Sequence, residues 1–266
     1  MINKLLKKIS AINSMTGDAV SFVKLFFFYL YLHPVWDSTG RRSLSIKFRL
    51  NAFGNSCTFY VDKLEDLATL EGIFIKQEYD NELQNVKSII DLGSNIGASV
   101  AYFKLRYPEA QVIAVEAEPS VFKKLQRNTR ELSNVSLLQA AVGSSSGSID
   151  FYTNPNRSIS GSMTNRGEGY EIQKVPVRTL DSIVEEFNFE QIDIVKFNIE
   201  GGEIDVFKNC SSINQIRLVI GGVHVDLIPD YSQVESLLEA FNSFDIKKIP
   251  RAKGRFLLHA VNNKTS

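Results

Sequence analysis

Three polar side chains surround a glycine turn at the end of an apolar strand and are the first candidates for chemistry. The stretch "VKFNIEGGEIDVF" (195–207) carries Asn198, Glu200 and Glu203 around its two glycines. Carboxylates and an amide in this position can orient a substrate hydroxyl or accept its proton. Glu200 has a structural alternative, because a carboxylate near a helix N-terminus also stabilises the helix dipole. Both interpretations stay open on these residues alone.

A second glycine turn and a distant carboxylate predict a nucleoside site. The turn "DLGSNIG" (91–97) contains Gly93 and Gly97, which let the backbone bend tightly and let a ligand approach. Glu116 ends the next predicted strand, where a carboxylate can accept both hydroxyls of a ribose. Asn95 stands at the middle glycine position of the dinucleotide motif G-x-G-x-x-G. The turn therefore favours a nucleoside that has no pyrophosphate.

S-adenosylmethionine is the ligand that best suits this pattern. Its ribose is expected on Glu116, and its methionine end is expected beside Asp91 and Gly93. The alternative is a nicotinamide-dependent oxidoreductase, because the same strand–turn–helix frame also binds dinucleotides.

The elements that must position these residues alternate between strands and helices from residue 88 onwards, which predicts a parallel, doubly wound α/β sheet. The short turn "PRAKG" joins the last two strands, so the final strand is expected to be antiparallel. The predicted strands are 88–93, 111–117, 135–142, 148–153, 174–180, 193–199, 217–225, 245–249 and 255–261. The predicted helices are 98–107, 119–132, 181–187, 203–210 and 232–241.

The N-terminal part of the chain differs from the rest in charge and hydropathy. Residues 1–50 carry eight basic and two acidic residues, a net charge of +6, and are followed by a chain with net charge −6. Residues 1–34 are predicted to be helical and residues 43–62 to form a β-hairpin. The apolar run 19–32 has 14 residues, fewer than the roughly 20 that cross a bilayer. It is expected either to pack on the protein body or to lie in a membrane interface.

Composition excludes several classes of protein. The 266 residues are 44% hydrophobic and 23% charged, which is typical of a globular protein. The 30 basic and 30 acidic residues cancel, so no nucleic-acid partner is expected. Cys57 and Cys210 lie far apart and match no zinc spacing, and only three histidines are present. We expect free thiols in the reducing cytoplasm and no metal site.

Five motifs occur in order along the chain: "IIDLGSNIG", "VIAVEAEPSVFKKLQRN", "LLQAAVGSSSGSIDFY", "VRTLDSIV" and "IDIVKFNIEGGEIDVF". Together they cover about residues 78–225, and this region resembles the FkbM-type S-adenosylmethionine-dependent methyltransferases. The resemblance implies a class I methyltransferase (Rossmann-like) fold. It also implies methyl transfer to an oxygen, usually a hydroxyl of a sugar or of a polyketide-like product. Many members of the family look like enzymes of polysaccharide or glycolipid assembly.

The resemblance also implies a set of site residues. Ala140 and Ala141, which follow the third strand and are expected to flank the adenine, have core packing as a structural alternative. Cofactor contacts are expected at Asp91, Gly93, Ser94, Asn95, Gly97, Glu116, Ala117 and Ala141.

Two departures from the family pattern affect the catalytic site. Asn198 stands where the family has an aspartate, and Gly222 stands where it has another acidic residue, whereas His224 is retained. An amide can orient a hydroxyl but is not a useful base. The candidate catalytic residues are therefore His224 as base or orienting group, Asn198 and Glu200. The alternatives are a purely structural His224 and a cofactor-binding protein with weak or no catalysis.

The sequence thus predicts two regions. Residues 1–79 form a helical and hairpin extension, and residues 80–262 form the S-adenosylmethionine-binding methyltransferase domain. The predicted reaction is methyl transfer to an oxygen, with a small-molecule or glycan acceptor, a sugar hydroxyl being the expected site. The predicted location is the cytoplasm, with peripheral membrane association if residues 1–34 contact a bilayer.

Overall fold

The computed structural model is an α/β fold with a seven-stranded sheet, a three-stranded sheet and a two-stranded hairpin. It describes residues 2–32, 44–153, 171–199, 202–208, 210–228 and 232–264. The α-helices in these ranges are α1 (Ile2–Met15), α2 (Ala19–Leu32), α3 (Leu64–Leu70), α4 (Ala98–Arg106), α5 (Pro119–Thr129), α6 (Leu180–Glu186), α7 (Glu203–Phe207) and α8 (Ser232–Glu239). The strands are β1 (Ile46–Ala52), β2 (Asn55–Val61), β3 (Ser88–Leu92), β4 (Gln111–Glu116), β5 (Val135–Gln139), β6 (Ala141–Val142), β7 (Gly147–Thr153), β8 (Glu171–Arg178), β9 (Ile192–Phe197), β10 (Ile216–Val223), β11 (Phe244–Pro250) and β12 (Phe256–Asn262).

The large sheet has the strand order β11-β12-β10-β9-β3-β4-β5. Strands β5, β4, β3, β9 and β10 are parallel, and β12 runs antiparallel between β10 and β11. The doubly wound sheet and the antiparallel last strand are confirmed. The chain continues from β3 to β4 on one side, whereas β9 lies on the other side of β3. The carboxyl ends of β3 and β9 therefore form the switch point at which such sheets bind ligands.

Both faces of the large sheet are buried, each in its own hydrophobic cluster. Ile89 of β3 lies in one cluster together with Phe103 of α4. The next residue, Ile90, lies in the other cluster together with Leu237 of α8. Because successive side chains of a strand point to opposite faces, two apolar neighbours need two covered faces. This burial explains why the parallel strands are apolar throughout.

The N-terminal region consists of α1, α2 and the β1–β2 hairpin. Asp18 begins α2 by accepting hydrogen bonds from the amide and hydroxyl of Ser21 at 2.8 and 2.7 Å. Leu25 and Phe28 of α2 are buried in the same cluster as Phe103 of the large α/β unit. No helix among the described residues is long and apolar enough to cross a membrane. The boundary at residue 79 stays a prediction, since the two regions share one core.

One predicted strand is wrong. Residues 135–142 were expected to form a single strand, but the chain changes sheets within this segment. The amide of Ala140 still donates to the carbonyl of Glu116 at 3.2 Å, beside the large sheet. Ala141 then pairs with Val177 of β8 in the three-stranded sheet. An apolar run indicates burial, but it does not indicate which sheet the strand joins.

The two cysteines, Cys57 and Cys210, are free thiols, as predicted. Burial raises the pKa of each thiol to about 12, with Asp181 adding to the effect at Cys210. Both side chains therefore stay protonated near neutral pH, where a thiol is a poor nucleophile. The structure offers no reason to assign either cysteine a chemical role.

Candidate functional site

The turn 91–97 is fastened to strands on both sides. The amides of Gly93 and Ser94 both donate to the carbonyl of Val115 in β4 at 2.9 Å. Gly93 has φ +74°, and a Cβ there would lie 2.2 Å from the carbonyl oxygen of Asn198. A side chain at position 93 is excluded by both facts. The predicted cofactor turn therefore contacts the backbone at the end of β9.

Glu116 lies partly exposed at the carboxyl end of β4, beside this turn. Its Oε2 accepts a hydrogen bond from the amide of Asn95 and its Oε1 one from the amide of Glu118, each at 2.9 Å. Burial raises the pKa of Glu116, and the two amides oppose that shift. A carboxylate has about four acceptor positions, so two remain after these bonds. The arrangement fits a ribose that donates two hydroxyl hydrogen bonds.

Asp91 and Lys196 form a buried ion pair below the turn. Asp91 Oδ1 lies 2.8 Å from Lys196 Nζ, and neither side chain is more than 2% exposed. Asp91 also accepts from the hydroxyl of Ser99, and Lys196 donates to the carbonyl of Gly93 at 2.8 Å. A buried lysine needs a partner for its charge, and Asp91 is that partner. Asp91 therefore holds the turn in place, and its direct contact with a cofactor stays a prediction.

Asn198 and His224 come together around Gly222. Asn198 is exposed at the end of β9, whereas His224 follows β10 and is buried. A Cβ at Gly222 would lie 3.4 Å from Asn198 Oδ1 and 3.5 Å from His224 Cε1. Two of the three predicted catalytic residues thus flank one small residue. The third, Glu200, lies outside the described residues.

Glu203 orients the imidazole of His224. Its Oε1 lies 2.7 Å from His224 Nδ1, and the carboxylate is completely buried. Oε2 has no hydrogen-bond partner among the described residues. The contact with His224 is therefore the described interaction that offsets the free-energy cost of burying this carboxylate. In the neutral tautomer whose Nδ1 donates to this carboxylate, Nε2 is the nitrogen that can accept a proton. Sequence reasoning listed Glu203 as a candidate base, but the structure makes it the partner of the base.

A cavity of about 430 Å³ opens over these residues. Asn198, Gly222 and His224 form part of its wall, at the carboxyl ends of β9 and β10. Gly93 contacts Asn198, so the cavity lies next to the predicted cofactor turn. An acceptor in this cavity would approach a methyl group held at the turn.

Other residues of the cavity wall were missed by sequence analysis. Tyr79 precedes the domain boundary, and Arg251 and Arg255 lie in the β11–β12 connection. Arg251 is 3.5 Å from Glu78, and Arg255 binds both carboxylate oxygens of Asp226 at 2.6 and 2.7 Å. No spacing in the sequence relates these segments, because only the fold brings them together.

The remaining predicted site residues are structural in their surroundings. Ser94 is buried, and its hydroxyl donates to the carbonyl of Asp91 at 2.8 Å. Gly97 has φ +90° and precedes α4. Ala141 is buried, and Ala117 packs partly buried against the same small cluster. Their contacts with a cofactor stay predictions. Within the described ranges, no three His, Cys, Asp or Glu residues are grouped as metal ligands.

The fold and the cofactor turn define a class I S-adenosylmethionine-dependent methyltransferase. The same architecture occurs in the crystal structure of a methyltransferase FkbM from Methylobacillus flagellatus KT, with a TM-score of 0.50 and 13% identity. That alignment covers 97% of this chain and 59% of that chain, so this protein spans little more than half of its length.

The family follows from sequence comparison. The family model of the methyltransferase FkbM domain matches residues 91–244, and the chain belongs to this family. Methyltransferase 1 of Beauveria bassiana is 29% identical over 67% of this chain and 81% of its own. The hexuronic acid methyltransferase AglP of Haloferax volcanii is 27% identical over 74% of this chain and 82% of its own. The cofactor is S-adenosylmethionine, and the nicotinamide alternative is set aside.

Proposed function

We propose that the protein transfers a methyl group from S-adenosylmethionine to an oxygen of a sugar in a polysaccharide or glycolipid precursor. The observation that carries the proposal is the buried Glu203–His224 pair, whose histidine lines the cavity beside the cofactor turn. A histidine held in one tautomer at a substrate cavity is suited to take a hydroxyl proton. It supplies the base that the family pattern would otherwise provide at positions 198 and 222.

Different residues bind the cofactor, orient the acceptor and take its proton. S-adenosylmethionine supplies an electrophilic methyl group on a positively charged sulfur. Glu116 binds the ribose, and the turn held by the Asp91–Lys196 pair fixes the cofactor's orientation. Asn198 orients the acceptor hydroxyl through its amide. His224 Nε2 takes the hydroxyl proton as the oxygen–methyl bond forms and the sulfur–methyl bond breaks, its electron pair going to sulfur.

Glu203 supports this step through charge. As His224 becomes an imidazolium, the adjacent carboxylate stabilises the positive charge in a buried site, where water does not screen it. The same contact holds the imidazole in one orientation, because turning the ring would leave the buried carboxylate without its described hydrogen-bond partner. Glu203 is thus a positioning residue, and His224 is the catalytic one.

An acidic sugar is the second candidate for the acceptor. Arg251 and Arg255 bring two guanidinium groups to the wall of the cavity that Asn198 also lines. Arg251 is the more available, since its contact with Glu78 is 3.5 Å long, whereas Arg255 binds Asp226 at 2.6 and 2.7 Å. Guanidinium groups bind carboxylates through paired hydrogen bonds. The name of the relative AglP, a hexuronic acid methyltransferase, is in agreement with such an acceptor.

The proposal is tested with the purified protein, S-adenosylmethionine and a panel of neutral and uronic acid oligosaccharides. We expect one added methyl on a sugar oxygen, detected by mass spectrometry, with loss of the product in His224→Asn. Isothermal titration of S-adenosylmethionine is run in parallel with both proteins. Tight cofactor binding without methyl transfer to any oligosaccharide of the panel would instead support the cofactor-binding alternative.

A further inference from the structure

Helix α2 presents apolar side chains on the side that faces away from the protein. Val20, Val23, Phe27 and Tyr31 are 63, 48, 62 and 49% exposed. Their spacing of three or four residues places them along one side of the helix, and we call them the outer stripe. Contiguous exposed apolar residues of this kind mark an interaction surface.

The opposite side of α2 is already used. Leu25 and Phe28 are 0 and 1% exposed, and they pack in the cluster that also holds residues of α4. The helix is therefore apolar on both sides, which core packing alone does not require. Since one side is fixed to the protein, the helix can lie along a partner surface but cannot insert end-on.

A cleft of about 440 Å³ adjoins the outer stripe: Val20 of the stripe lines it, as does Lys24 of the same helix. Asp18 and Glu131 also line the cleft, and hydrogen bonds hold the pKa of both carboxyls below the usual range, those at Asp18 coming from Ser21. The basic residues that line the cleft are Lys24, Lys47 and Arg49. Three positive and two negative side chains give the cleft a net charge of +1.

We propose that the outer stripe and this cleft dock on the surface of a bilayer that contains anionic phospholipids. The apolar stripe would enter the boundary between headgroups and acyl chains, where aromatic residues such as Phe27 and Tyr31 are favoured. The cleft would accept a lipid phosphate. The net charge of +6 over residues 1–50 complements an anionic surface. This inference does not depend on the reaction proposed above.

The experiment is co-sedimentation of the full chain with phosphatidylcholine vesicles, with and without phosphatidylglycerol. We expect binding to the anionic vesicles that weakens as salt is added. Phe27→Ser should lower the partition coefficient about tenfold, the change expected for exposing a large apolar side chain. Lys24→Gln should lower it about fivefold, and only on anionic vesicles. The matched control is Ile172→Ser on β8, where the side chain is 60% exposed.

Several outcomes would overturn the proposal. Complete recovery of the wild-type protein in the supernatant, with anionic as with neutral vesicles, would contradict docking. Equal losses in Phe27→Ser and Ile172→Ser would show a general effect of surface hydrophobicity. A wild-type dimer that Phe27→Ser converts to a monomer, without vesicle binding, would assign the stripe to a second copy of the chain. Thermal midpoints of all variants verify that folding is retained.

Discussion

Glu203 Oε1 and His224 Nδ1 lie 2.7 Å apart, although 21 residues separate them in the chain. The first residue begins α7 after β9, and the second follows β10, so two adjacent parallel strands bring them together. The contact holds the imidazole beside the cavity. It also predicts that the two residues act as a unit.

His224→Asn should lower kcat by roughly 10²–10⁴-fold, because a general base contributes about that much. Glu203→Gln should lower kcat at least about tenfold while leaving S-adenosylmethionine affinity unchanged. The double variant should be no slower than His224→Asn alone, since positioning is worthless without the base. Steady-state kinetics and titration calorimetry measure both quantities. Independent, multiplying losses would show that Glu203 acts without His224.

Glu116→Ala should weaken S-adenosylmethionine binding by about 1–3 kcal/mol, the usual effect of stranding buried hydrogen-bonding groups. The exposed Glu109→Gln is the control, and its cofactor affinity should equal that of the wild type. An unchanged affinity in Glu116→Ala would remove the ribose assignment.

The cofactor affinity should also depend on pH through Glu116. Burial raises the pKa of Glu116, so its carboxylate becomes protonated at a higher pH than that of an exposed glutamate. The protonated form cannot accept both ribose hydroxyls, so the affinity for S-adenosylmethionine should fall as the pH is lowered through this pKa. A raised pKa in the folded state favours folding at low pH and loses that contribution as pH rises. Protonation of Glu116 thus does not destabilise the fold, so weaker S-adenosylmethionine binding in acid would reflect the lost ribose contact. Glu116→Gln should remove this step from a calorimetric pH series.

Asn198→Asp should change turnover more than cofactor affinity. A carboxylate there would add a negative charge near His224 and stabilise the imidazolium by about 1 kcal/mol, or roughly fivefold in kcat. Asn242→Asp is the control, since this exposed residue precedes β11 and lies at the amino ends of the parallel strands, away from the cavity. A change confined to the dissociation constant of S-adenosylmethionine would place Asn198 with the cofactor instead.

Gly93→Ala should destabilise the protein by roughly 1–3 kcal/mol or prevent folding, because of a positive φ and contact with the Asn198 carbonyl. Gly147→Ala is the matched control, since nothing lies within 4 Å of the added Cβ. Urea denaturation of the two variants should differ clearly. Equal midpoints would mean that the turn at Gly93 relaxes at no cost.

Lys196→Met should cost about 3–5 kcal/mol of unfolding free energy, because it leaves Asp91 charged and buried. Arg130→Met breaks an ion pair with Glu131 in which both side chains are about half exposed, and it should cost less than about 1 kcal/mol. Replacing Asp91 by Asn together with Lys196→Met should recover part of the loss. Urea denaturation measures all three variants.

Much of this architecture could be predicted from periodicity and motifs. Apolar strands alternating with helices determined the doubly wound sheet, and Glu116 and the turn 91–97 were placed together because both follow parallel strands. The change of sheets after Ala140 could not be predicted, since both halves of the segment are buried. The partner of Lys196 and the role of Glu203 depend on side-chain approach across strands, which spacing does not encode.

The shared core of α2 and α4 couples binding at the N-terminal helices to the stability of the methyltransferase sheet. Leu25 and Phe28 lie in the same hydrophobic cluster as Phe103, so the N-terminal helices and the methyltransferase sheet are expected to unfold together. A surface that binds only the folded form of α2 then stabilises the whole unit by mass action. Occupancy of the outer stripe would thereby raise the thermal midpoint of the domain that holds S-adenosylmethionine.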